Sequence, residues 1–105
     1  MNAGPLTQAQ VRERLLGIQA DILRLGVRRL ALFGSVRRDA AGPDSDVDLL
    51  VEFQPGKKNF DRFVALSDLL ERALDHSIEL VTPESLSPFL APHILAEATD
   101  VLRAA

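Results

Sequence analysis

The 105-residue chain contains no cysteine, no tryptophan and no tyrosine. Without cysteine there is no disulfide framework, no thiol nucleophile and no zinc–thiolate site, which is compatible with a reducing cytoplasm. Five phenylalanines are the whole aromatic inventory, too few for a platform on which single-stranded bases could stack. No apolar run approaches the ~18 residues that a membrane-spanning helix requires, and the N-terminus lacks the basic-then-apolar order of a signal peptide. A net charge of −3 does not advertise nucleic-acid binding. Direct binding of nucleic acid is therefore not expected, although Arg28, Arg29, Arg37 and Arg38 lie close together in sequence.

What remains is an ordinary globular composition, 47% hydrophobic and 26% charged, in a length that fits one domain over residues 1–105. After a loose start over residues 1–6, Thr7 and Gln10 form a capping-box pattern. It opens one amphipathic helix carrying Val11, Leu15, Ile18, Ile22 and Leu25 and closing at Gly26. Residues 27–33 read as a strand that is apolar on both faces around Leu30-Ala31-Leu32-Phe33, which implies cover above and below the sheet. Gly34-Ser35 breaks it, a short helical turn comes next at 36–38, and the Gly/Pro/Asp/Ser-rich residues 39–45 form a loop.

A second strand is expected over residues 46–53, with Val47, Leu49, Val51 and Phe53 on one face and Asp46, Asp48, Leu50 and Glu52 on the other. A helix from Phe60 to about Leu74 presents Phe63, Val64, Leu66, Leu70, Ala73 and Leu74, and residues 77–82 form a third short strand. Beyond that strand Pro88 and Pro92 each interrupt the helical hydrogen-bond ladder. Pro92 then opens a last helix carrying Ile94, Leu95, Ala98, Val101 and Leu102. The order helix, strand, strand, helix, strand, helix makes a small mixed α/β (α+β) domain.

The chemistry is expected between residues 30 and 53. Asp46 and Asp48 are two residues apart on a strand, hence on one face and roughly 6.5–7 Å apart at Cα. Aspartate disfavours strand interiors, and paired like charges at the edge of a core are costly unless a cation joins them. Oxygen-only donors on a rigid strand suit Mg²⁺. A solvated strand start at Asp46 and an exposed edge at Asp48 would account for the same residues. Gly34-Ser35 alone is an ordinary turn, although such a turn lets backbone amides approach a phosphate. Glu52 lies ~13 Å from Asp46 at strand rise, too far to share an ion with it. Lys57, Lys58, His76 and His93 read as solvated or helix-terminal residues.

Taken together, Gly34-Ser35, ten intervening residues and Asp46-Val47-Asp48 resemble the GSX10DXD signature of nucleotidyltransferases related to DNA polymerase beta. Leu32-Phe33 before the turn, Arg37-Arg38 after it and Leu49-Leu50-Val51 after the acids strengthen the likeness. So does the ending around Glu79-Leu80-Val81-Thr82-Pro83, which resembles the minimal nucleotidyltransferase branch. That branch commonly serves as antitoxin to HEPN-domain toxins. The resemblance covers roughly residues 10–104.

It implies a polymerase beta-like fold, in which Gly34 and Ser35 hold the β- and γ-phosphates of a nucleoside triphosphate and Arg37 or Arg38 neutralises its charge. It implies two Mg²⁺ ions on Asp46 and Asp48, with the third carboxylate at Glu79, where the family usually has aspartate. The implied activity moves AMP from ATP to a hydroxyl, a tyrosine of a cognate HEPN toxin. Alternatives are an inert antitoxin that neutralises by contact and, last, a small-molecule transferase of the aminoglycoside-modifying kind. Acceptor, base preference and self-association stay open at this level. Phe89, Leu90, Ile94 and Leu95 exceed what the core should cover and mark a candidate partner face.

Overall fold

The computed structural model describes residues 6–42 and 45–104. Expectations for the first five residues and for Pro43-Asp44 within the loop fall outside the described residues. Elements run α1 (Gln8–Leu16), α2 (Gln19–Arg24), β1 (Val27–Phe33), α3 (Gly34–Arg37), β2 (Val47–Phe53), α4 (Phe60–Leu74), β3 (Ile78–Val81), a 3₁₀ turn (Pro83–Ser85), α5 (Ala91–Glu97) and β4 (Thr99–Arg103).

Thr7 caps α1 with the predicted box, its hydroxyl accepting from the Gln10 amide and the Gln10 side chain returning to the Thr7 amide. The single helix expected up to Gly26 is two helices. Gly17 closes α1, and Ile18 leaves helical geometry at φ −121°, ψ 21°. Glycine inside a helix costs roughly 0.5–1 kcal/mol relative to alanine, so the chain breaks there without losing the stripe. Val11, Leu15 and Ile22 are all fully buried. Gly26 then ends α2 with φ +88°, as a C′ glycine should.

The sheet order is β3-β2-β1-β4, with β1 antiparallel to both β2 and β4 and β2 parallel to β3. β4 corrects the expectation of a last helix running through Leu102. Its Val101 and Leu102 lie beside β1 at the edge of the sheet and are buried there. Their spacing from Ile94 and Ala98 fits a helix equally well, and periodicity cannot separate the two in so short a run. Only the first part of the expected helix, α5, is helical.

The two sides of β1 feed two cores. Leu30 and Leu32 pack with Val47, Leu49 and Val51 under α1, α2 and α4, which contribute Leu15, Ile22, Leu66, Leu70 and Leu74. Ala31, Phe33 and Leu50 face the other way, against Val81, Leu86, Ile94 and Ala98. Val64, assigned to the apolar face of α4, is instead 39% exposed. α4 is capped by Asn59, whose side chain accepts from the Arg62 amide at 2.8 Å, and ends on Asp75 in a left-handed conformation. The sheet is laced laterally by Arg29 of β1, which donates to Glu52 of β2 and to Asp100 of β4. Among the described residues no helix is long and apolar enough to cross a membrane.

Candidate active site

Sheet register assembles the site. Asp48 in β2 pairs with Phe33, the last residue of β1, on one side and with Glu79 of β3 on the other. Gly34 follows Phe33 directly, so the predicted phosphate turn and the predicted carboxylates meet at one end of the sheet. Asp46 sits one residue before β2, exposed, while Asp48 is half-buried and Glu79 exposed. The start of β2 is anchored by the Val47 amide, which donates to the Ser77 carbonyl at 3.0 Å. Ser45, just upstream, accepts from the Gly42 amide through its hydroxyl at 2.9 Å.

Gly34 has φ +77°, where only glycine is unstrained, and a side-chain carbon there would collide with the Asp48 carboxylate. Backbone and acid are therefore in direct contact. Charge at Asp48 is correspondingly uncomfortable. Burial, the negative charge of Glu79, a hydrogen bond with Glu79 and the charge of Asp46 together push its carboxyl up to about 6, with Arg38 pulling the other way.

The predicted arginines are both brought to the turn, and both are tied to the junction of α5 and β4. Arg37 Nε donates to Thr99 Oγ1 at 3.2 Å, and the Arg38 guanidinium is paired with Glu97. The Gly34 amide also points at Glu97, 3.5 Å from Oε2. Sequence reasoning gave Glu97 and Thr99 no role. They stand some sixty residues from the turn, and β4, which carries the chain back alongside β1, was not foreseen.

Glu52, set aside as a ligand by strand rise, is indeed elsewhere, bonded to Arg28 and Arg29. A cavity of about 450 Å³ lined by Arg28, Glu52, Gln54, Lys58 and Glu84 lies at that opposite end of the sheet. It does not include the carboxylates of Asp46, Asp48 or Glu79. Among the described residues no three acidic or histidine side chains are already drawn together as a closed ion cage. Two acids flanking a half-buried third nevertheless offer hard oxygen donors in a place short of positive charge. That donor set suits Mg²⁺, an ion that completes its shell with water and substrate phosphates rather than with an all-protein cage.

The turn, both arginines and all three acids lie inside residues 12–101, the span matched by the family model for the nucleotidyltransferase domain. The chain belongs to this family and is an enzyme of the nucleotidyltransferase type. It is 38% identical over 93 residues to a Methanocaldococcus jannaschii protein named "Putative protein adenylyltransferase MJ0435", covering 89% of this chain and 96% of that one. Among solved structures it resembles one described as a "putative minimal nucleotidyltransferase", with a TM-score of 0.77 at 33% identity over 90% of this chain and 95% of the other. A more distant likeness shows the shared fold alone. It is a complex of a tri-AMPylated Shewanella oneidensis HEPN toxin with an MNT antitoxin, with a TM-score of 0.64 at 19% identity over 93% of this chain and 74% of that one. The fold is thus the polymerase beta-like fold of minimal nucleotidyltransferases.

Proposed function

We propose that this chain transfers AMP from ATP to a tyrosine hydroxyl of a HEPN-domain toxin, and so acts as an antitoxin in the cytoplasm. The observation that carries the reading is the contact of Gly34 with Asp48, between Asp46 and Glu79. It sets a phosphate-compatible turn against a cation-seeking group. The relative named as a protein adenylyltransferase and the AMPylated toxin in the distant complex support the choice of donor and acceptor.

In this reading the Gly34 and Ser35 turn, with Arg37 and Arg38, binds and orients the β- and γ-phosphates. Asp46, Asp48 and Glu79 hold two Mg²⁺ ions. When bound, such a pair neutralises charge on both the attacking and the leaving oxygen of an in-line displacement. The acceptor hydroxyl gives up its proton to solvent, and its oxygen forms a bond to the α-phosphorus as the bond to the leaving pyrophosphate breaks. The protein's part is placement, and misplacement by ~1 Å can cost on the order of a hundredfold. Glu79 reaches one methylene further than aspartate would, and is exposed.

That exposure favours one second reading: neutralisation of the toxin by contact alone. The two separate cleanly. Incubation with labelled ATP, Mg²⁺ and the HEPN partner should label the partner, and Asp46→Asn should abolish it. A folded Asp46→Asn/Asp48→Asn protein that neutralises as well as wild type, with no label transferred by either, would establish the second reading instead.

A further inference from the structure

We infer that Glu97 is a built-in occupant of the phosphate turn, which nucleotide must displace, and that it thereby sets the affinity for nucleoside triphosphate. The inference rests on the reading of Gly34 and Arg38 as phosphate ligands. Glu97 is the last residue of α5. Its two carboxylate oxygens are divided between those same two groups: Oε2 faces the Gly34 amide at 3.5 Å, and Oε1 is paired with the Arg38 guanidinium.

A carboxylate presents what a phosphate edge presents, anionic oxygens able to accept from a backbone N–H and a guanidinium together. The Gly34 amide has a single proton to give, so Glu97 and a phosphate oxygen cannot both have it. The residues beside Glu97 also face the turn. Thr99, two residues on, accepts from Arg37 through its hydroxyl and itself donates to the Glu97 carbonyl. The α5–β4 junction therefore engages both arginines that follow the turn.

The opposite role, in which Glu97 holds Arg38 ready for nucleotide, predicts the opposite sign of effect. A displaced competitor weakens binding, whereas a positioning residue strengthens it. The Arg38 and Glu97 side chains are 52% and 25% exposed. A pair that open to water is weak, so releasing it should tighten binding by about two- to fivefold.

The test is calorimetric titration of Mg²⁺ with the non-transferable analogue α,β-methylene-ATP into wild type, Glu97→Gln and Glu97→Ala, without any acceptor. Thermal melts confirm that each is folded, and the alanine variant stands in if glutamine does not fold. The same samples give the ¹⁵N–¹H resonance of Gly34. The expected result is two- to fivefold tighter binding by the variants, with the nucleotide-free Gly34 amide resonance of the variants displaced from its nucleotide-free wild-type position, because the Glu97 carboxylate no longer accepts from it. Equal or weaker binding, or an unmoved Gly34 resonance, overturns the inference while leaving the transferase reading standing. Absence of binding by all three proteins overturns the transferase reading itself, and this inference with it.

Discussion

A side-chain carbon on residue 34 would run into the carboxylate of Asp48, because Gly34 directly follows the residue that pairs with Asp48 across β1 and β2. The glycine is thus required twice, once for its φ of +77° and once for the acid lying against it. Gly34→Ala should cost roughly 1–2 kcal/mol in left-handed backbone strain alone and displace Asp48. Transfer should fall on the order of a hundredfold, more than the loss of folded protein explains. Initial rates beside a melting curve check this. Near-normal turnover would show that the contact is not used.

Asp48 should make the protein less stable as pH rises. Its folded carboxyl sits at about 6, against an ordinary value of 3.8. Between those values the folded state binds more protons than the unfolded chain, so stability falls as pH climbs through the window and stays lowered above it. Asp48→Asn removes that penalty. The variant should melt above wild type at pH ~7.5 and match it below about pH 4, while losing transfer. Mg²⁺ should raise the melting temperature of wild type at pH ~7.5 and leave the variant's unmoved. Parallel melting curves at all pH values would rule out a strained charge on Asp48.

The meeting of the candidate residues was more legible in the sequence than the elements that frame it. Gly34, Ser35, Asp46 and Asp48 stand close together in the chain, and one antiparallel register brings the turn and the acids to one end of the sheet, so local spacing was enough to expect them side by side. Glu79 required only that β3 lie beside β2, and the pairing of Asp48 with Glu79 meets that requirement. The break at Gly17 was hidden because the apolar stripe continues through it into Ile22. β4 was hidden because Val101 and Leu102 suit a helix face and a strand edge alike, and only pairing with β1 decides between them. With β4 unseen, Glu97 and Thr99 could not be placed against the turn. The expected surplus of apolar surface near α5 is real at Phe89, Leu90 and Leu95, which are 87%, 56% and 42% exposed, whereas Ile94 is absorbed into the second core.

Arg29 ties three strands together, and its loss should show first in acid behaviour. Burial works to raise Glu52, but hydrogen bonds from Arg28 and Arg29 hold it below its usual range. Asp100 is likewise lowered, against burial, by Arg29 and Arg103. Groups with depressed folded values stabilise at pH above their unfolded values of 4.5 and 3.8, and that stability is lost as pH falls through the folded values. Arg29→Met should cost about 1–2 kcal/mol at neutral pH and flatten the acid limb of the stability curve. Chemical denaturation at several pH values checks both, and an unchanged acid limb would show that the pairs contribute nothing.

Whether this end of the sheet transfers a nucleotide to a protein hydroxyl is decided by following label from [α-³²P]ATP to a HEPN-domain partner in Mg²⁺. Wild type is compared with Asp46→Asn/Asp48→Asn, and the modified residue is mapped by mass spectrometry. AMP should appear on a partner tyrosine with wild type and not with the double variant. Label that is absent with wild type, or present equally with both proteins, would refute the transfer.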